Sequence, residues 1–185
     1  MFKRVHLTIV AIAILPITSV AQGVRDQHVH GHGQLLVAQD DSQWQLQFSI
    51  PAANLLGFEH EPEDQKQRDK VHAMETALSE FRNVASISGS CKVAQQDIHI
   101  PHAEHHEDHE SHAEHAGDDA HEAHRQHQHE DISLTYQLSC NDDISALTIN
   151  MFGLAPSLSS LEVQWVTDKG QGMTDVTPQA ATINW

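Results

Sequence analysis

Apolar and polar side chains alternate over residues 43–50, where Trp44, Leu46, Phe48 and Ile50 interleave with Gln45, Gln47 and Ser49. A period of two with one apolar face predicts a half-buried strand. The apolar residues 35–38 come before it, and Asp40, Asp41 and Ser42 supply a turn, so the two segments predict a β-hairpin. Pro51 ends the second strand, and residues 51–62 read as a loop carrying Asn54-Leu55-Leu56-Gly57-Phe58-Glu59-His60. The period then changes. Val71, Met74, Leu78 and Phe81 recur at spacings of three, four and three, which lays one apolar stripe along a helix over residues 63–82. His72 falls about 100° around the helix from Val71, on the solvent side.

Residues 91–100 and 132–140 read as two more strands, the second with Ile132, Leu134, Tyr136 and Leu138 on one face. Pairing them antiparallel with Cys91 opposite Cys140 sets Ile98 opposite Ser133. Residues 144–152, 162–167 and 174–185 supply further strands, and residues 154–161 a short helix or turn. The fold class is α+β: an antiparallel β-sheet with one main helix and a long disordered His/Asp/Glu-rich hairpin loop. The mature chain reads as a single metal-binding domain over residues 22–185, with a His-rich insertion at 99–131.

That insertion interrupts every periodic pattern. It carries His102, His105, His106, His109, His112, His115, His121, His124, His127 and His129, interleaved with Glu104, Glu107, Asp108, Glu110, Glu114, Asp118, Asp119, Glu122 and Glu130. Residues 102–130 have no Leu, Ile, Val or aromatic residue, so they cannot bury apolar surface to offset the entropy of folding. Neutral imidazole is the commonest protein metal ligand, and the carboxylates add oxygen donors and a negative field that draws dications. His102, His105, His109 and His112 would share one helix face, but many other ligand sets overlap with theirs. The segment therefore predicts several exchangeable ions rather than one fixed geometry. His99, at its entrance, is placed to join it.

The first 21 residues read as a signal peptide. Lys3 and Arg4 precede an apolar run over residues 7–14, too short to span a bilayer, and Ser19-Val20-Ala21 offers small residues at a cleavage site. The mature chain is then expected to be exported and soluble in a periplasm, without membrane insertion. Losing Lys3 and Arg4 moves the formal charge from −16 to −18, which repels phosphates and excludes nucleic acid as a partner. Cys91 and Cys140 are the only cysteines. In an oxidising compartment they pair most simply as a disulfide; the alternative is that both thiolates bind zinc, although neither has a CxxC or CxH neighbour.

A second metal candidate lies in His28-Val29-His30-Gly31-His32. Alternate residues of an extended segment face the same way, so His28, His30 and His32 converge, and Gly31 and Gly33 permit a close turn. His60, beside the apolar anchor Phe58, is the candidate fourth ligand. Glu59 could ligate or orient an imidazole, but its residue type and loop position favour an ordinary surface carboxylate. Mixed imidazole and carboxylate donors suit zinc, leave nickel, cobalt and copper(II) open, and disfavour copper(I), which wants clustered soft ligands.

Several of these segments resemble the ZrgA family of bacterial zinc-regulated periplasmic proteins. They are His28-Val-His-Gly-His32, residues 35–38, Pro51-Ala-Ala-Asn-Leu-Leu-Gly-Phe-Glu-His60, the two cysteines flanking a His/Asp/Glu tract, and Leu161-Glu-Val-Gln-Trp165. The resemblance implies a periplasmic zinc-binding protein that assists zinc uptake with an inner-membrane transporter. A metal-bridged assembly or adhesion module, or a buffer for Ni2+ or Cu2+, is the alternative. The chain has no HExxH and no GxSxG, and an enzyme is not expected.

Overall fold

The computed structural model describes residues 30–101 and 130–185. The expected signal peptide, His28 and the ten histidines of residues 102–129 lie outside the described residues, as does the expected disordered loop. Among the described residues no helix is long and apolar enough to cross a membrane.

The predicted hairpin forms from β1 (His32–Asp40) and β2 (Gln43–Pro51), with Val37 opposite Leu46. After one helical turn, α1 (Ala52–Leu56), comes the long helix α2 (Gln65–Ser79), then α3 (Phe81–Val84) and β3 (Ala85–Ile87). β4 (Cys91–His99) and β5 (Asp131–Cys140) bracket the tract. β6 (Ala146–Ile149), a 3-10 turn (Met151–Gly153), β7 (Ser160–Thr167), β8 (Gly170–Val176) and β9 (Thr182–Asn184) complete the chain. The six-stranded sheet has the order β4-β5-β2-β1-β7-β8, and β3-β6-β9 form a second, smaller sheet. The protein is thus mostly β with few helices.

The expected all-antiparallel sheet needs one correction: β1 and β7 run parallel, with His32 opposite Ser160 and Leu35 opposite Val163. The cause is the route of the chain, which leaves β5, passes through β6 in the second sheet and returns to the end of the first sheet where β1 begins. The return is fixed by the Gly31 carbonyl, which accepts from the amides of Ser159 (2.7 Å) and Ser160 (3.1 Å).

The core is the inner face of the large sheet. Leu35, Leu46, Ile50, Ile132, Leu134, Tyr136 and Leu161 are fully buried, and Val71 and Leu78 of α2 join the same cluster. α2 is shorter than its apolar stripe. It starts where the Asp64 carboxylate accepts from the Gln67 amide (2.8 Å) while the Gln67 side chain reaches back to the Glu63 amide (2.7 Å), a reciprocal cap that satisfies exposed helix donors. It stops at Glu80, whose backbone is extended. Phe81 still packs inward from α3, edge-on to Tyr136 at 5.3 Å.

Three other expectations are corrected. Residues 51–62 contain α1, closed by Gly57 at φ 80° with its amide on the Ala53 carbonyl, the left-handed stop for which glycine is favoured. The strand expected over 144–152 ends at Ile149, and its last residues form the 3-10 turn. Residues 174–185 split between β8 and β9 in different sheets.

Cys91 pairs with Cys140 as the sequence implies, but Ile98 faces Leu134 instead of Ser133, because the register slips between Val93 and Gln95. Such a bulge would invert a strand with one buried face. Here it is tolerated, since β4 is an edge strand with exposed residues from Lys92 to Asp97.

The Tyr136 hydroxyl donates to the Leu78 carbonyl near the C-terminus of α2. Burial pushes the phenol well above its ordinary value. Native Tyr136 therefore holds its proton above about pH 10, where the unfolded chain releases it, so stability falls as pH rises past that point. Tyr136→Phe is expected to cost about 1–2 kcal/mol at neutral pH by leaving the carbonyl unpaired. It should also flatten the alkaline limb of a urea-stability profile; an unchanged limb would count against this assignment.

Candidate metal centre

The strand directions bring several of the candidate ligands to one end of the large sheet. β1 begins there with His32, β7 begins beside it with Ser160, β2 ends there at Pro51 opposite Asp131 of β5, and His99 closes β4 opposite Ser133. Residues 102–129 join β4 to β5 at this same end. The disulfide Cys91–Cys140 links the other end of that hairpin, with Cα atoms 4.0 Å apart, roughly 24 Å away at the rise of an antiparallel strand. No described cysteine is free, so the pair is a disulfide and not a thiolate zinc site.

The chain leaving the tract is tied directly to the loop region beside β1, because the Ala52 amide at the start of α1 donates to the Glu130 carbonyl (2.8 Å). α1 in turn holds the amino-terminal turn. Asn54, only 5% exposed, accepts from the Gly31 amide through Oδ1 (3.1 Å) and donates from Nδ2 to the Ser157 hydroxyl (3.0 Å). Gly31 sits at φ 85°, and a Cβ there would stand 3.1 Å from the Ser159 hydroxyl. A buried amide that satisfies groups on two other segments is costly to remove, so Asn54 fixes the turn from which His30 and His32 project.

His30 and Glu59 meet across this junction, Nδ1 to Oε1 at 3.5 Å, with side chains 61% and 17% exposed. Glu59 follows the Gly57 stop and Phe58, which packs against the core. His32 places Nδ1 2.6 Å from the Ser160 hydroxyl. His60 has its ring 5.2 Å from that of Phe58 and donates from Nδ1 to the Glu61 carbonyl (2.9 Å). A carbonyl only accepts, so His60 carries its proton on Nδ1 and offers Nε2 to any metal. His72 and His99 are exposed.

Of the proposed amino-terminal set, His30, His32 and His60 are described, and His28 is not. Among the described residues no three His, Cys, Asp or Glu side chains come close enough to hold one ion. His60 has the Glu63 carboxylate 4.0 Å away, three residues along the chain; the pair assembled from distant segments is His30 with Glu59. The sequence favours a surface carboxylate at Glu59, whereas its side chain is only 17% exposed; the signal that could have singled it out is its position after Gly57 and the core-packed Phe58. Imidazole nitrogen and carboxylate oxygen are both ordinary zinc donors, so the pair fits that ion.

A family model described as ZrgA family zinc uptake protein matches residues 27–185. No curated protein matches the chain. The matched span holds the amino-terminal turn, the Asn54 junction, both cysteines and the tract.

Proposed function

Because the chain belongs to the ZrgA family of zinc uptake proteins, we propose that it captures and buffers Zn2+ in the periplasm and assists its uptake with an inner-membrane transporter. Zinc is its cargo, and its work is binding and release, not catalysis. Histidines 102–129 collect several exchangeable ions. His28, His30 and His32, with a fourth donor from the loop at Glu59 and His60, form a more defined site. The observation that carries this reading is the shared end of the sheet: β4 ends and β5 begins at the end where β1 starts, and the Glu130 carbonyl accepts from the Ala52 amide of α1, the helix that leads to Glu59. An ion released from one set of ligands then has a short path to the other.

Dialysing the mature protein against micromolar zinc at pH 7.5 is expected to leave several ions bound per chain. The number should fall as pH drops below about 6.5, because imidazoles must lose a proton to ligate. A protein that retains no zinc under these conditions is not a zinc carrier.

A further inference from the structure

We propose that Glu59 is itself a ligand of the zinc held at the amino-terminal site, sharing the ion with Nδ1 of His30. The proposal rests on reading that end of the sheet as a zinc site, and it names the donor that the described residues supply there.

The separation of 3.5 Å between His30 Nδ1 and Glu59 Oε1 distinguishes two arrangements. A charge-assisted N–H···O hydrogen bond closes to about 2.7–2.9 Å, so 3.5 Å is long for a carboxylate that merely orients an imidazole. Two donors on one tetrahedral zinc, each about 2.0–2.1 Å from the ion, stand about 3.4 Å apart. The pair therefore has the spacing of two ligands on a single ion.

Burial points the same way. The Glu59 side chain is largely covered and its Oε1 is shielded from solvent. A dication beside His30 would meet this covered carboxylate at close range, where screening by water is weak. Both donors are also placed in advance. Gly57 and the core contact of Phe58 set Glu59, while Gly31 and Asn54 set His30. Little further ordering is then needed to bind, whereas a tract site must fix each residue it uses at about 1–2 kcal/mol. His60, one residue along, has committed Nδ1 to the Glu61 carbonyl and is not the partner of His30.

The test uses the full mature chain, with a competing chelator strong enough to strip the tract, so that only the tightest zinc is read. Glu59→Gln keeps the shape and removes the charge; it should weaken that ion at least tenfold, and Glu59→Asp should recover part of the loss. His72→Ala, on the exposed side of α2, should leave it within about twofold. 15N NMR of the zinc-loaded unmutated protein should place the metal on Nδ1 of His30, a measurement independent of whether any variant folds. Metal on Nε2, with Nδ1 protonated toward Glu59, would make Glu59 an orienting group and overturn the proposal. So would unchanged affinity in Glu59→Gln alongside loss in His30→Ala. If His30→Ala also leaves the tightest ion unchanged, the amino-terminal zinc site fails, and the proposal with it.

Discussion

Deleting residues 102–129 and joining Pro101 to Glu130 through a short turn is expected to remove most of the protein's zinc capacity while leaving its fold intact. The deletion takes ten of the 17 histidines. At three to four imidazoles per ion, that is about two to three zinc ions, and more if carboxylates replace some imidazoles. The fold should survive because β4 and β5 pair from Cys91 opposite Cys140 up to His99 opposite Ser133. The β5 residues Ile132, Leu134, Tyr136 and Leu138 bury their side chains in the common core. Isothermal titration and differential scanning calorimetry on the two chains check both halves. The midpoint of thermal unfolding without zinc should move by only a few degrees. A remaining ion that resists mild chelation would locate the tight site outside the tract, at His28, His30, His32 and Glu59 or His60. A deletion that binds nothing would leave the amino-terminal site without support.

The alternation of Trp44 to Ile50, the face shared by Ile132 to Leu138, and the stripe of Val71, Met74 and Leu78 were all legible in the sequence. Each is a burial pattern with a single period, and burial is what the fold enforces. The pairing of Cys91 with Cys140 was legible for another reason: two cysteines allow only one intramolecular bridge. The parallel β1–β7 contact was not, because it depends on a route through a second sheet that leaves no local pattern. α1 was missed because five residues are too few to show a helical period, although Gly57 marks its stop. The one-residue slip of β4 was invisible for the opposite reason: a strand exposed on both faces has no buried side to fix its register.

The candidate site was legible by residue type and not by geometry. His30, His32 and His60 stand out as histidines near glycines in loops, yet the carboxylate that meets His30 across the junction, Glu59, comes from another segment of the chain. Its closeness follows from Asn54, a buried amide whose two hydrogen bonds join α1 to the amino-terminal turn and to the segment before β7. A sequence pattern cannot reveal such a junction, since Asn54 and its two partners, Gly31 and Ser157, are scattered along the chain and form no apolar period.

Replacing both Cys91 and Cys140 by Ser is expected to cost about 4 kcal/mol of stability. On the loop-entropy view, the bridge restrains the unfolded chain over a separation of 49 residues, and a loop of that size corresponds to about this value. Set against a typical total of about 5–15 kcal/mol, the loss is large; for a chain of this size it should lower the unfolding midpoint by about 8–16 °C. β4 should suffer first, because its contacts with the core are confined to its two ends, Cys91 and Ile98. Zinc binding by the folded variant should persist, since the bridge lies at the far end of the hairpin from the ligands. The tract adds a second, sharper test, because it lies inside the disulfide loop. Without its 28 residues the loop is less than half as long, and the same double substitution should cost about 0.8 kcal/mol less than in the full chain. Urea titrations of the four proteins form a closed cycle that measures this coupling. A coupling of zero would mean that the bridge stabilises through native contacts at the Cys91 end of β4, and a cost near zero in both backgrounds would mean that the bridge contributes nothing to the fold.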